Sequence, residues 1–321
     1  MMLNFKQPLF ALAPLAGFTD LPFRSVVKKF GANLTVSEMI SSNALSFQNK
    51  KTLKMLEKSP LETPYSIQIA GSNPLVIKKA VEIINERDDI DIIDLNCGCP
   101  APKVVNNLQG SSLLTDLVAM GKAIETIKKY SNKRYTSVKI RLGFNEKNHI
   151  AIAKVCQDSG ADFIAVHGRT RSGRYKAPVD YDAIKEIKES ISIPVIANGD
   201  ITSPQKAKWV LDYTKADGVM IGRGAVGKPW IFKQMRDYIL EDKKIKVDSK
   251  LIKEVVLEHF RQMIEYYGEY GAVMFRKHLH TYSKVGYQGA SEFRNLINRE
   301  KDTHILYEII EEFFSQEIKE A

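Results

Sequence analysis

Cysteine is scarce in this chain. Three cysteines in 321 residues, an odd and small number, argue against a disulfide-stapled secreted protein. Cys97 and Cys99 are separated by one residue, which matches neither the wider cysteine pairs of zinc sites nor the Cys-x-x-Cys of redox motifs. Cys156 stands apart in a helix-like stretch. The sequence therefore predicts a reducing compartment and no metal site.

Long apolar runs are also missing. No run reaches the roughly 18 apolar residues that suggest a membrane span. The stretch Met1 to Pro8 lacks the apolar core of a signal peptide. These two absences count against membrane and secreted proteins. We expect a cytoplasmic protein that has no membrane partner.

The charge is unevenly distributed. The formal net charge is +9, which favours a polyanionic partner. Residues 248–321 hold 10 Lys and Arg against 13 Asp and Glu, a net of −3, so the first 247 residues carry +12. Within the tail, residues 276–301 are basic and the last stretch is acidic. Charge by itself leaves a nucleic-acid surface and a solvated face equally open.

Short apolar runs alternate with helix-like segments in the first part of the chain. Eight strands are predicted, at 9–13, 34–40, 65–69, 90–95, 136–140, 163–166, 193–197 and 218–221. Such alternation implies parallel strands with right-handed crossovers. Eight units within about 240 residues is the size of a TIM (β/α)8 barrel. A doubly wound parallel sheet is the main alternative.

The pattern changes after Pro229. Residues 231–240 and 250–267 have helical spacing, and no further strand alternation follows. The polar stretch 242–250 is the candidate linker. The sequence thus predicts a barrel domain of residues 1–241 and a small all-α domain of residues 242–321.

Polar residues gather at the predicted strand ends, which converge on one face of a barrel where active sites lie. The fifth strand ends in Lys139 and Arg141, and the sixth in His167 and Arg169. The predicted strand 90–95, called the central strand below, is followed by Asn96-Cys97-Gly98-Cys99-Pro100. We predict that Cys99 is a catalytic acid, because the Cys-Pro turn would aim its side chain into the pocket. Cys97 and Cys156 are expected to be buried apolar residues.

Glycine-rich turns follow the seventh and eighth strands, where barrels bind phosphate. They read Asn198-Gly199-Asp200 and Gly222-Arg223-Gly224. A flavin mononucleotide (FMN) fits the remaining residues, because Lys139 would stabilise the anionic reduced ring. Pro14, Leu15 and Ala16 would form an apolar shelf, and Gln68 would bond the ring's edge. For Gln68 alone, a solvent-facing strand end is the simpler interpretation.

Basic and aromatic residues continue beyond the sixth strand. Arg169, Arg171 and Tyr175 lie in a loop at the active-site face, which suits phosphate contacts and base stacking. Arg276 and Lys277 occur near Tyr282 in the helical part. This second group is compatible with either an RNA-binding face or a seam between domains.

Several motifs together resemble the tRNA-dihydrouridine synthase family. They are Pro14-Leu15-Ala16-Gly17-Phe18-Thr19-Asp20, Leu95-Asn96-Cys97-Gly98-Cys99-Pro100, Val166-His167-Gly168-Arg169-Thr170-Arg171, Asn198-Gly199-Asp200 and Ile221-Gly222-Arg223-Gly224. The likeness runs in the family's order from about residue 14 to about residue 282. It implies an FMN-binding barrel, a helical tRNA-binding domain, NADPH (or NADH) as reductant and a uridine of tRNA as substrate.

The resemblance also implies roles for particular residues. The proton donor falls on Cys99. The FMN contacts fall on Pro14, Leu15, Ala16, Gln68, Lys139, His167, Asn198, Gly199, Asp200, Gly222 and Arg223. The predicted tRNA contacts are Asn96, Arg141, Arg169, Arg171, Arg276, Lys277 and Tyr282. A monomer that requires no protein partner is expected.

Two other functions remain open at this stage. A flavin oxidoreductase that acts on a free dihydropyrimidine or dihydroorotate would have no use for the basic helical part. A non-catalytic RNA-binding protein would have no use for Cys99 or the flavin positions. Binding of bulk tRNA and a yellow colour on purification separate the three.

Overall fold

Nine parallel strands build the first part of the molecule. The computed structural model describes residues 3–318, so the last three residues of the predicted helical domain lie outside it. The strands are β1 (Leu9–Leu12), β2 (Leu34–Val36), β3 (Ile40–Ser41), β4 (Tyr65–Ala70), β5 (Ile92–Cys97), β6 (Tyr135–Arg141), β7 (Phe163–His167), β8 (Val195–Asn198) and β9 (Gly218–Ile221).

The sheet closes on itself. β1 pairs with both β2 and β9, β2 pairs with β4, and each strand from β4 to β9 pairs with the next. These eight strands form a complete circle, and the short β3 adds to the carboxyl end of β4. The predicted TIM barrel is confirmed. The doubly wound sheet is excluded, because an open sheet has two edge strands and each of these eight strands has a neighbour on both sides.

Helices surround the barrel and continue beyond it. They are α1 (Leu21–Lys29), α2 (Ser42–Ser46), α3 (Lys50–Lys54), α4 (Pro74–Asn85), α5 (Pro102–Val105), α6 (Leu117–Tyr130), α7 (His149–Asp158), α8 (Tyr181–Ser190), α9 (Pro204–Thr214), α10 (Ile231–Glu241), α11 (Ser249–Tyr267), α12 (Tyr270–Tyr282), α13 (Ala290–Arg299) and α14 (Thr303–Phe314). A 3-10 helix spans Gly110–Thr115.

Alternation along the strands separates two apolar layers. One face of each strand packs on the surrounding helices, as Ile93 and Leu95 of β5 do. The other face fills the barrel interior, where Ile92, Phe163 and Ile196 belong to one buried cluster. Successive inward positions therefore form layers, and polar side chains occupy the inward positions nearer the carboxyl ends.

The appended helices have a core of their own. Residues of α11, α12, α13 and α14 form a separate buried cluster, which Val26 of α1 and Trp230 also join. The cluster is tight where α11 meets α12, since a Cβ on Gly271 would lie 2.2 Å from the carbonyl oxygen of Met263. Residues 242–248 have no helix or strand. The functional division at residues 241 and 242 stays a prediction.

Most strand bounds shift by one or two residues from the sequence predictions, and two of the differences bear on the site. The strand predicted at 34–40 is split into β2 and β3, and the intervening Glu38 accepts a hydrogen bond from the backbone N–H of Gly17. The central strand extends to Cys97 instead of ending at Leu95. This extension matters for the chemistry, because it fixes the direction in which each cysteine points.

No helix within the described residues is both long and apolar enough to cross a membrane.

Candidate active site

Strand β5 sorts its side chains between the pocket and the helix layer. Asp94 and Asn96 alternate with Ile93, Leu95 and Cys97, so the two polar residues share the inward face. Cys97 is fully buried in the cluster between strands and helices, and burial raises the pKa of its thiol well above the usual range. Cys97 is therefore a packing residue, as predicted.

The inward polar side chains of three strands bond to one another. Ser137 Oγ donates to Asp94 Oδ1 at 2.6 Å, and Gln68 Nε2 donates to Asp94 Oδ2 at 2.7 Å. Asn96 Nδ2 then donates to Gln68 Oε1 at 2.7 Å. The strand register places Asp94 opposite both Gln68 and Ser137, which explains why these groups meet. We call this set, Ser137, Asp94, Gln68 and Asn96, the polar relay.

The polar relay ends at the turn that carries Cys99. Asn96 Oδ1 accepts hydrogen bonds from the backbone N–H groups of Cys99 at 2.9 Å and Gly98 at 3.2 Å. On the other side, the carbonyl of Cys99 accepts from the N–H of Ser111 at 3.1 Å. Cys99 is a free, half-buried thiol. The turn is thus held from both sides while the thiol stays accessible.

Two cations lie beside this turn. Lys139 and Arg141 occupy successive inward positions of β6, and Arg141 reaches the carbonyl of Gly98 in the Cys99 turn. Lys139 Nζ donates to Asn198 Oδ1 at 3.2 Å. Burial, followed by the nearby Arg141, lowers the pKa of Lys139 to about 8. Lys139 therefore remains mostly charged at neutral pH and has lost much of its hydration.

Arg141 is fixed mainly by backbone oxygens. Its Nε donates to the carbonyl of Gly98 at 2.8 Å, and Nη1 donates to that of Thr170 at 3.0 Å. Its pKa is lowered by burial, but an arginine remains charged at physiological pH. Arg141 thus connects the Cys99 turn to the loop after β7.

His167 is the inward residue at the end of β7 and stays neutral. Burial first, and then Lys139 and Arg141, lower its pKa to about 2. Its Nε2 lies 3.3 Å from Arg169 Nη1 and can accept a hydrogen bond from it. A neutral imidazole among cations acts here as a hydrogen-bonding group and carries no charge.

The predicted phosphate end contains an ion-pair cluster. Arg169 pairs with both carboxylate oxygens of Asp200 at 3.1 and 2.5 Å, and Arg223 Nη2 lies 2.8 Å from Asp200 Oδ1. These partners lower the pKa of Asp200, with the Arg169 hydrogen bond as the largest cause. Arg223 is 57% exposed, so its other donors remain available to a phosphate. Arg169 is buried and committed to Asp200, which leaves it little to offer tRNA.

Two glycines and the first turn complete this end of the pocket. Gly199 has φ +135, which a side chain would strain, and Gly222 faces Leu15 and Ala13 at van der Waals distance. The turn at Leu15 is held by Thr19, because Thr19 Oγ1 accepts a hydrogen bond from the backbone N–H of Leu15 at 2.8 Å. Pro14 and Leu15 are half-buried and Ala16 is exposed. The structure thus brings the predicted apolar shelf next to the Gly222 turn.

The side chains predicted to contact tRNA have different environments. Lys277 Nζ lies 5.5 Å from the ring of Phe18 and would be 3.9 Å from a Cβ on Gly17, so it reaches the barrel mouth. Arg171 stacks on Phe144 with its guanidinium carbon 4.7 Å from the ring centre. Arg276 donates to the carbonyl of Glu300 at 2.5 Å.

Tyr282 requires a correction. Its side chain is 0% exposed, and its hydroxyl lies 3.1 Å from Nδ1 of His259. A residue buried in the core of the appended helices cannot touch RNA, so the predicted contact is wrong for this conformation. Spacing on a helix showed that Tyr282 shares a face with its neighbours but not that this face points inward.

Sequence reasoning gave no role to two groups at the site. Asp94 and Ser137 form the centre of the polar relay, and the inward register of β5 and β6 was the available signal.

Tyr175 was predicted only as part of a loop suited to phosphate contacts and base stacking. Its ring is 48% exposed, lies 6.0 Å from that of His167 and has Arg223 at 4.5 Å. It therefore stands at the rim of the pocket.

The chain is similar to curated proteins over nearly its whole length. It is 51% identical over 317 residues to "Probable tRNA-dihydrouridine synthase" of Helicobacter pylori (strain ATCC 700392 / 26695), covering 98% of this chain and 94% of that protein. It is 40% identical over 313 residues to "tRNA-dihydrouridine synthase B" of Pseudomonas syringae pv. tomato, covering 96% and 92%.

Solved structures resemble the barrel. TcOYE, solved with pHBA, has a TM-score of 0.55 at 8% identity, covering 76% of this chain and 91% of that one. An old yellow enzyme homologue from Zymomonas mobilis has a TM-score of 0.52 at 12% identity, with coverages of 76% and 91%. At these identities the likeness concerns the fold alone.

The family comparison agrees with the residues of the pocket. The family model described as dihydrouridine synthase (Dus) matches residues 11–319, which include the end of β1, the Cys99 turn and the appended helices. Together with the identity to its named members, this match confirms the resemblance seen in the motifs. The chain belongs to the dihydrouridine synthase family.

Proposed function

We propose that this protein is a flavin-dependent oxidoreductase that reduces a uridine of tRNA to 5,6-dihydrouridine, with Cys99 as the proton donor. The observation that carries the proposal is the Cys99 turn. Asn96 holds the backbone N–H of Cys99, and the accessible thiol lies next to two cations, Lys139 and Arg141. This arrangement suits the delivery of a proton to a substrate that becomes negatively charged.

The pocket fits FMN at both of its ends. The Gly199 and Gly222 turns lie where barrels commonly bind phosphate, and Arg223 keeps donors free for it. Lys139 is a poorly hydrated cation on the inward face, which an anionic ring would stabilise. A bound flavin supplies the hydride that reduces the C5–C6 bond of uracil, and NADPH is the proposed source of its electrons.

The protein's own residues complete the reduction. The S–H of Cys99 donates its proton to C5 of the ring, and solvent returns a proton to the thiolate that remains. A general acid must still hold its proton when the hydride arrives, so Cys99 would act as the thiol and not as a thiolate nucleophile. Lys139 and Arg141 would stabilise the charge that develops on the uracil oxygens. Arg141 also fixes the carbonyl of Gly98, so the same side chain would orient the donor.

The rim suits an RNA substrate. Tyr175 is exposed beside Arg223, and Lys277 reaches the mouth from the appended helices. An aromatic ring with neighbouring cations is a common surface for unpaired bases and phosphates. The target uridine would have to leave its stacked position to reach Cys99. A tRNA substrate also favours the cytoplasm, and a monomer stays a prediction.

The proposal is tested with purified protein, NADPH and an unmodified tRNA transcript. We expect heat denaturation of the protein to release FMN. Mass spectrometry should show a 2-Da gain in one uridine of the transcript. Uridine, orotate and uracil, supplied free at the same concentration, should be reduced far more slowly. Equal turnover of a free pyrimidine would favour the small-molecule alternative, and flavin-free protein that resists reconstitution would favour an RNA-binding protein.

A further inference from the structure

Three side chains with metal-binding atoms meet where the barrel contacts the appended helices. Asp20 caps the start of α1, His259 lies on α11, and His278 lies on α12. One ligand atom from each lies within 4.8 Å of the other two. All three residues are buried. We call them the seam triad.

The seam triad holds polar atoms without partners. Within residues 3–318, His259 Nε2 and both ring nitrogens of His278 accept or donate no hydrogen bond, and Asp20 Oδ2 has no close partner, although the Tyr267 hydroxyl interacts with this carboxylate. An unsatisfied buried polar group costs about 1–3 kcal/mol, so a group of them in one place is unusual. A ligand bound between the three side chains would satisfy several of these atoms at once.

The other atoms of two residues are already engaged. His259 Nδ1 lies 3.1 Å from the hydroxyl of Tyr282, and Asp20 Oδ1 accepts from the N–H of Phe23 at 3.2 Å. Metal ligands are commonly oriented in this way, by a hydrogen bond to the atom that does not bind the ion. His259 Nε2 is left free, and the Tyr267 hydroxyl is the remaining neighbour of the Asp20 carboxylate.

Burial keeps both imidazoles in the neutral form that can bind metal, and the nearby Lys277 adds to this effect. Burial lowers the pKa of His259 to about 3 and that of His278 well below its usual value. Burial likewise raises the pKa of Asp20 to about 6, with Glu38 adding to the rise and Lys277 and Arg24 opposing it. A divalent ion would stabilise the ionised carboxylate.

We propose that the seam triad binds a divalent transition-metal ion, with zinc favoured by two imidazoles and a carboxylate. Zinc takes such ligands at about 2.0–2.2 Å, which places tetrahedral ligand atoms about 3.4 Å apart. Separations of up to 4.8 Å would therefore shorten by up to roughly 1.4 Å, and water would fill the fourth position. Because its ligands come from α1, α11 and α12, the ion joins the barrel to the appended helices. This site has no part in the proposed uridine reduction.

The sequence gave no sign of this site, and its prediction of no metal considered only the cysteines. Asp20 and His278 are 258 positions apart in the chain, and the two histidines lie on different helices. Metal-binding motifs are recognised by short, regular spacings, which a site built from three separate helices lacks.

The experiment uses the untagged full-length protein, because a histidine tag binds zinc. After incubation with zinc and exhaustive dialysis, elemental analysis should find about one zinc per chain. Anomalous diffraction at the zinc edge should locate it between Asp20, His259 and His278. Wild-type protein that keeps no zinc, or a zinc ion located elsewhere, would overturn the proposal, and a bridging water would then explain the cluster.

Variants separate binding from folding. His278→Ala and Asp20→Asn should each weaken zinc binding at least tenfold and remove the rise in melting temperature that zinc gives the wild type. His280→Ala is the matched control, since His280 is on the same helix but bonds Asn298 outside the triad. Full zinc content in folded His278→Ala or Asp20→Asn protein would contradict the assignment.

Discussion

The barrel mouth and the seam triad hold buried polar side chains in opposite ways. At the mouth, Asp94 receives hydrogen bonds from Ser137 and Gln68, and the relay continues to the Cys99 turn. At the seam, His259 and His278 have ring nitrogens with no partner in the described chain. Self-sufficient polar networks are rigid, whereas unsatisfied ones require a further group. The mouth is therefore preorganised by the protein, and the seam needs an ion to be complete.

The largest effect at the mouth, apart from removal of the proton donor, should come from Lys139. Lys139→Met removes the cation facing the reacting ring and should slow uridine reduction by about 10²–10³-fold at saturating flavin. Lys139→Arg should recover most of the rate. The wild-type rate should also fall as pH rises through about 8, the pKa of Lys139, and the arginine variant should lack this component of the pH dependence. Equal pH profiles for the two proteins would argue against this role.

Asn96→Ala should have a smaller effect, because it loosens the Cys99 turn but leaves the thiol in place. Two backbone N–H groups lose their acceptor, and misplacement of a reacting group by about 1 Å can cost up to 10²-fold. We expect roughly tenfold slower reduction of uridine, with flavin content unchanged. Flavin reduction by NADPH is the internal control, since it does not involve Cys99. A variant slowed equally in both half-reactions would indicate general damage.

Asp94 should make stability depend on pH. Burial raises its pKa from 3.8 to about 6, so its contribution to stability is greatest below pH 4 and falls as pH rises through 6. Between pH 4.5 and 7.5 the wild type should lose about 2 kcal/mol of unfolding free energy through this group. Asp94→Asn should lack that component. Urea unfolding of both proteins at the two pH values measures it, and parallel losses would show that Asp94 titrates normally.

The smallest effect concerns tRNA binding at the rim. Lys277→Ala should lower affinity several-fold and reduce the salt slope by about 0.7–0.9, the value for one phosphate contact. Lys129→Ala is the control. Lys129 lies in the last turn of α6, and a helix that follows a barrel strand ends at the opposite face from the strand's carboxyl end. Equal losses in the two variants would place the RNA elsewhere.

Prediction from the sequence succeeded where local pattern determines structure. Alternating apolar runs predicted the eight barrel strands, and the Cys-Pro turn favoured Cys99 over Cys97 as the exposed thiol. The extra two residues of β5 give the physical reason, because alternation turns Cys97 toward the helix layer. Pattern did not reveal which neighbours on adjacent strands meet, so Asp94 and Ser137 received no role.

Prediction failed where distant segments meet. Tyr282 was expected to contact RNA but is buried under α11, and the same packing brings His259 beside His278. A helix face that is aromatic and basic can be an interface or a core, and only the tertiary contacts distinguish the two. The relationship between α1, α11 and α12 is fixed by packing across more than 200 residues of chain.

The most direct test of the account is the reoxidation of bound, prereduced flavin by unmodified tRNA in a single turnover. Cys99→Ala should react about 10²–10⁴-fold more slowly than wild type, the usual contribution of a positioned acid. Its reduction by NADPH and its tRNA affinity should be unchanged. Cys97→Ala, which alters only the helix-facing neighbour, should react at the wild-type rate. A slow Cys97→Ala, or a Cys99→Ala that reacts normally, would contradict the assignment of Cys99 as the proton donor.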